Sequence, residues 1–450
     1  MPLPCEPTAP PPPYPPLPPA DPATLILKYK WVDKKVRTVP ALLPKEFRTI
    51  CCIPKDPLLS LLELPTHLPD FTPGKHLTQE CLNTLALNAN NFLWPEELKL
   101  VHHILKINEL MLTWTEAEKG RFCDKYFAPI RIPVIEHVPW AHKNLPIPPG
   151  ILEDVIKLVK EKFAAGVYER SDASYHSHWF CVEKKNGTLH LVHDLQPLNA
   201  ITICNSGVPP IPDQIIEAMA GQSCYLLLDL FVGYDYCMLD ESSRNLTTVQ
   251  FPIGTMRLTS LPTGWTGTIL IFHGDVIFIL EPEIPNPAQP FIDNTGVKGP
   301  PTCYKIEGGG YETIPANPQI RHFIWEHVND VYRIIHHFLC TGTAISVPKI
   351  VIATPEITIL GHKCNYEGRI LDNSKVSKIC DWPDCKNISD ICAFLGLASY
   401  ICIWIKTSQR LHVPLSILLT KAHTLHGKMN TAKPWAYSRL LSLSLLLSYP

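Results

Sequence analysis

The alternation of apolar and polar positions divides this chain into a proline-broken beginning, a long mixed centre and a leucine-rich end. From about residue 80 to 128 the pattern is helical, with Leu98, Val101, Ile104, Leu105 and Ile107 preceding Trp114. A further helix is predicted after Pro148 and Pro149, where Ile151, Val155, Leu158, Val159 and Phe163 recur at helical spacing and Gly166 ends the run. The period then shortens to two. Trp179 to Lys184 and Leu189 to Asp194 predict a β-hairpin, and Asn186 with Gly187 supplies the dipeptide that a tight primed turn prefers.

Three prolines, Pro209, Pro210 and Pro212, break the chain before a short helix through Ile215, Ile216 and Met219 that stops at Gly221. An apolar strand, Tyr225 to Asp229, follows at once. Arg321 to Leu339 reads as a long helix with Phe323, Val328, Val331, Ile335 and Leu339 roughly on one face, and strand Ile357 to Leu360 leads through Gly361 to a turn at Tyr366, Glu367, Gly368 and Arg369. No repeat is visible at solenoid periods, and helices mixed with hairpins without regular alternation predict an α+β fold.

Residues 1 to 22 hold 12 prolines, which remove backbone donors and fix φ, so a polyproline-type extended tail is expected there. It reads either as a ligand for an SH3-like module or as a disordered linker left from a longer polyprotein. Residues 23–145 are read as a loosely defined leader. Leu440 to Leu447 is too short to cross a bilayer, which needs about 20 residues, so no membrane partner is expected.

At 450 residues the chain exceeds what one core usually organises, and two or three domains or subdomains are expected. The net charge of −2 conceals an asymmetry: residues 151–330 are net −10 and residues 331–450 net +7. An acidic centre that suits metal ions, followed by a basic element that suits a phosphate backbone, is one reading; ordinary solvated faces are the other. The 16 cysteines are scattered, with no C-x-x-C pair, no zinc quartet and no cleavable signal ahead of them. They read as free thiols of a protein that is intracellular, cytoplasmic or nuclear, and not secreted. His102, His103, His336 and His337 lack an acid partner at an interpretable spacing and read as surface or helix residues.

Candidate chemistry sits in two short segments, the run ending at Asp229 and the stretch Phe291, Ile292, Asp293, Asn294. Alone, Asp229 reads as a solvated turn acid, and Tyr234 and Trp265 as core aromatics. Paired carboxylates on rigid strands are what a nucleotidyl transferase needs, because its metal ions must bind both the attacking hydroxyl and the leaving phosphate.

The order of motifs then becomes specific. Gly166 to Glu169 with Ser171, Val182 to Gly187, Asp194 with Leu198 and Asn199, Leu228 to Leu230 with Gly233 and Tyr234, Leu261, Pro262, Gly264 and Trp265, Phe291 to Asp293, and Ile359 to His362 with Gly368 come in sequence. Trp382, Pro383, Phe394 to Leu397, Pro414 and Leu415 follow. From about residue 148 to 421, some 60% of the chain, the sequence resembles the reverse transcriptase of gypsy-type long-terminal-repeat retrotransposons.

The resemblance implies a right-hand polymerase fold, with fingers and palm over 146–350, primer grip and thumb over 351–425, and a C-terminal tail over 426–450. It implies that Asp229 and Asp293 hold two Mg2+ ions, that Leu230 lies near the triphosphate, and that Tyr234 excludes a 2′-hydroxyl. Lys184 or Lys185 and Asp194 would belong to the nucleotide-binding fingers. Pro262, Gly264 and Trp265 would brace nucleotide and template, and Leu360, Gly361 and His362 would position the primer. The implied partners are an RNA template, a DNA or RNA primer and dNTPs.

Four positions depart from the family. Asn294 replaces the last acid of the metal hairpin, His190 and Gln196 replace arginines, and Thr263 replaces a larger residue. An amide binds hard cations less well than a carboxylate, and a mostly neutral imidazole is a poor substitute for a guanidinium. The protease triplet and the nucleocapsid and integrase zinc motifs are missing, and no RNase H stretch follows the thumb, which reads as a polyprotein fragment. The expectation is therefore a reverse transcriptase module, degenerate in its chemistry; the alternative is an impaired remnant that only binds RNA or an RNA·DNA hybrid.

Overall fold

The computed structural model describes residues 38–370 except 86, 116–117, 184–186, 188, 204–206 and 208–209, with isolated positions between 377 and 397. The proline-rich segment 1–22, both fingers lysines Lys184 and Lys185, most of the thumb and the tail 426–450 lie outside the described residues.

Four antiparallel strands form the central sheet, in the order Val351–Thr354, Tyr225–Asp229, Asn294–Lys298, Ala288–Phe291. Tyr225–Asp229 lies inside the sheet, and both its faces are covered. Leu226 and Leu228 point into the main core beside helices Thr268–Leu280 and His322–Thr341. Tyr225 and Leu227 point the other way, towards helix Pro212–Met219 and the hairpin strand Glu356–Ile359. A strand buried on both sides needs apolar residues at every position, which is why this one reads as a continuous run.

The fingers form a second cluster. Helix Leu152–Ala164 buries Val155 and Val159 against the sheet Tyr168–Arg170, Gly254–Leu258, Val249–Phe251 and the hairpin Trp179–Glu183, Leu189–His193. The hairpin register sets Trp179 opposite His193 and Glu183 opposite Leu189.

The described part of the leader, residues 38–145, packs into the main core. Leu100, Val101, Ile104 and Leu105 of helix Pro95–Ile107 are buried in the same core as Phe323 and Val328 of the long helix. The link is also ionic: Glu97, fully buried, takes two hydrogen bonds from the Arg321 guanidinium (2.8 and 2.6 Å) and one from the Arg321 backbone N–H (2.9 Å). A boundary at residue 145 therefore divides the sequence but not the core. The helical spacing at 98–107 was visible in sequence; its acid–base partner, more than two hundred residues away, was not.

His337 sits in a helix, one of its two sequence readings, with an acid nearby that spacing did not reveal. It is buried in the long helix with Nε2 3.7 Å from Glu283, whose pKa falls to about 2 because His337 and Arg333 together outweigh the burial that opposes ionisation. Fold proximity supplied the acid partner that spacing did not. The described cysteines are free, as their scatter implied.

Candidate active site

Asp229 ends the central strand, directly opposite Asn294 in register. Asp293 occupies the two-residue connection, Ile292–Asp293, between strands Ala288–Phe291 and Asn294–Lys298. Ile292 holds a left-handed φ of 58°, a conformation that costs a β-branched residue on the order of 1–3 kcal/mol unless its surroundings impose it. Two hydrogen bonds do so. The Leu230 N–H donates to the Asp293 carbonyl at 2.8 Å, and the Ile292 N–H donates to Nδ1 of His273, from helix Thr268–Leu280, at 3.3 Å. The two acids are thus carried on neighbouring strand ends and tied together through the main chain.

Each carboxylate already has a partner. Lys349 places its Nζ 2.9 and 3.0 Å from the two oxygens of Asp229, while its own side chain is largely exposed. Burial pushes the Asp229 pKa up and neighbouring Asp293 adds to that push, whereas Lys349 opposes it. The Asn294 amide donates to Asp293 Oδ1 at 3.0 Å. Lys349 was missed in sequence because it reads only as part of the basic excess after residue 331.

Tyr234 lies in the turn Gly233–Tyr236 that follows Asp229, with its ring edge-on to Phe272 at 5.4 Å. Burial raises its phenol pKa and the Asp293 charge adds to the shift. Gly233 is required here: a Cβ would come within 2.6 Å of the Phe272 ring. Leu230 is buried, so what it offers the site is its backbone.

The loop Pro262–Trp265 is clamped from the fingers side. The Asn199 amide donates to the Gly264 carbonyl (2.9 Å) and accepts from the Thr266 N–H (3.0 Å), and Thr268 Oγ1 donates to the Pro262 carbonyl (2.7 Å). Trp265 is buried with its indole N–H on Thr202 Oγ1 at 3.1 Å, so its side chain braces the loop from within and does not face a ligand. Gly264 (φ 101°) and Thr263 form the exposed crest. Asp194 accepts the Gln196 N–H at 3.1 Å and so shapes the turn after the hairpin. His190 lies on the hairpin opposite Val182; burial lowers the pKa of His193 to about 4, and the nearby His190 adds to that.

Leu360 and Gly361 form the two-residue turn between strands Glu356–Ile359 and His362–Asn365, both with positive φ (51° and 79°), as the primed hairpin turn demands. His362 is buried at the start of the second strand. This hairpin packs through Ile357 and Ile359 onto Tyr225, at the base of the Asp229 strand.

A finger hairpin and helix, a palm sheet with two acids at its strand ends, and a following hairpin define the right-hand polymerase fold of the reverse transcriptase class. Comparison with known proteins agrees. No protein-family model matches the chain. It is 23% identical over 280 residues to the Transposon Tf2-7 polyprotein of Schizosaccharomyces pombe, covering 62% of this chain and 19% of the relative, and the Tf2-8 polyprotein of the same yeast gives the same figures. The chain thus spans about a fifth of the length of these curated relatives.

Among solved structures, it is similar to the foamy viral protease-reverse transcriptase in complex with dsDNA (TM-score 0.68, 18% identity, 85% of this chain and 73% of that one). The same viral protein in complex with an RNA/DNA hybrid gives a TM-score of 0.65 at 17% identity, covering 86% of this chain and 48% of that one. Similarity to retrotransposon polyproteins and the reverse transcriptase fold are both what the sequence resemblance implied.

Proposed function

We propose that this chain is an RNA-directed DNA polymerase module, extending a DNA or RNA primer with dNTPs along an RNA template, with its chemistry weakened by substitution. The observation that carries the reading is the pairing of Asp229 and Asp293 on adjacent strand ends, joined by the Leu230–Asp293 hydrogen bond. Magnesium is usually held by one or two carboxylates completed by substrate phosphates, so this donor set fits it, although no cluster of three or more ligating side chains occurs among the described residues. Two ions held by Asp229 and Asp293 would lower the pKa of the primer hydroxyl and neutralise charge on the leaving phosphate. Around them, Tyr234 offers a ring edge beside the sugar position and the Thr263–Gly264 crest offers backbone to the nucleotide. Lys349 keeps Asp229 charge-paired until a ligand competes for it.

Primer extension on a homopolymeric RNA template with magnesium or manganese tests the proposal. The expected result is weak incorporation by the natural chain, raised at least tenfold by Asn294→Asp with His190→Arg. No incorporation by either protein sinks it. A second reading, a remnant that binds RNA or a hybrid without copying it, is favoured by the Asn294 amide on Asp293. Steeply salt-dependent hybrid binding without incorporation would select that reading.

A further inference from the structure

Helix Thr268–Leu280 is apolar along most of its length, yet it buries a histidine, His273. A buried imidazole is costly unless a partner uses its polar atoms. The partner is the Ile292 N–H, 3.3 Å from Nδ1. An amide N–H can only donate, so Nδ1 is the bare, accepting nitrogen and the ring proton sits on Nε2. Burial lowers the His273 pKa and so favours that neutral form.

What this hydrogen bond holds is the connection that carries Asp293. Ile292 and Asp293 make up the whole of it, since Phe291 already pairs with Asn294. At φ 58° the β-branched Ile292 is strained and would relax towards an ordinary φ unless something outside the turn opposed it. In so short a turn, rotation at Ile292 would swing the residue that follows. The Leu230 N–H holds the far side of the connection through the Asp293 carbonyl, and His273 holds the near side. The same helix also braces the other acid's surroundings. Phe272 packs edge-on against the Tyr234 ring and against Gly233, in the turn after Asp229.

We propose that His273 is a positioning residue for Asp293: its Nδ1 lone pair holds Ile292 in the left-handed conformation and so keeps the Asp293 carboxylate beside Asp229, where the two can share a divalent cation. The inference rests on the reading of these two acids as cation ligands. It assigns the role to the acceptor of the ring and not to its bulk.

The test separates those two properties in the full chain. Asparagine carries Oδ1 on Cγ, where histidine carries Nδ1, and leucine has nearly the shape of asparagine without an acceptor. Mn2+ affinity is read by electron paramagnetic resonance as the binding that Asp293→Asn abolishes. It should fall about 10- to 100-fold in His273→Leu, the range for losing a group that orients a metal ligand, and stay within about threefold of the natural chain in His273→Asn. His273→Ala, which lacks an acceptor but cannot clash, should match His273→Leu and guards against a leucine that disturbs the fold. Ile292→Gly, which takes a φ of 58° without strain, should reduce the His273→Leu loss to about threefold or less. Equal affinities in the Leu and Asn variants, an undiminished loss in the glycine background, or no Mn2+ binding by the natural chain overturn the proposal. Primer extension separates it from the polymerase reading. Mn2+ affinities in the expected order without incorporation leave His273 in its role and sink the polymerase, whereas incorporation unmoved by His273→Leu does the reverse.

Discussion

Replacing Arg321 with methionine should destabilise the whole fold by about 3–4 kcal/mol, the lower part of the range for breaking one side of a buried ion pair. Glu97 is fully buried and the Arg321 side chain 4% exposed, so the orphaned carboxylate cannot be rehydrated without unfolding its surroundings. Two donors would remain to it, the backbone N–H groups of Trp94 (2.8 Å) and residue 321 (2.9 Å), which holds the cost below the top of the range. The Phe92 carbonyl, now bonded to the guanidinium at 2.7 Å, would lose its partner as one part of that cost. Stacking of the cation on four rings, Phe92, Trp94, Tyr311 and Phe323, at 4.8 to 5.3 Å would also vanish.

The double variant Glu97→Leu, Arg321→Met removes both charges and should return to within about 2 kcal/mol of the natural chain. Urea unfolding followed by circular dichroism and by tryptophan fluorescence measures both. The two probes should give one midpoint, because helix Pro95–Ile107 belongs to the same core as the long helix. A single-variant cost below about 1 kcal/mol, or a double-variant cost equal to the sum of the singles, would refute the reasoning.

Two further outcomes follow from the palm. Asp275 is buried in helix Thr268–Leu280, where burial raises its pKa to about 6 while the Cys237 and Cys51 thiols donate to it and pull the other way. A raised carboxyl pKa favours the folded state at low pH, so this group's contribution declines as pH climbs from about 4 to about 6, by up to about 3 kcal/mol. Asp275→Asn should flatten that part of the stability–pH curve, and an unchanged slope in urea midpoints from pH 4 to 7 would contradict it. Gly233→Ala should cost about 1–3 kcal/mol by forcing the Phe272 ring aside, and Phe272→Leu should recover part of this; equal melting temperatures for Gly233→Ala and the natural chain would contradict the close contact.

Local pattern carried much of the fold. The helix after Pro149, the hairpin around Gly187, the strand ending at Asp229 and the long helix ended by Gly342 lie within a few residues of their sequence-based positions, because each is set by periodicity and a turn residue. What sequence did not show depends on contacts distant in the chain. Glu97 and Arg321 look like ordinary surface charges until the helices meet. Lys349 reaches Asp229 only because strand Val351–Thr354 pairs with Tyr225–Asp229, and His273 meets the Ile292 N–H only because helix Thr268–Leu280 packs beside the Ile292–Asp293 connection. The indole of Trp265 turns inward to Thr202, a contact no local pattern marks.

The hydrogen bond from Leu230 to the carbonyl of Asp293 uses only main-chain atoms. Position 293 would therefore be delivered to the same place whatever side chain stood there. A side-chain change at 293 therefore leaves this tether in place, so folding, proteolysis and soluble expression would register it weakly. At position 293, pressure on the scaffold and pressure on the reaction would then be separable.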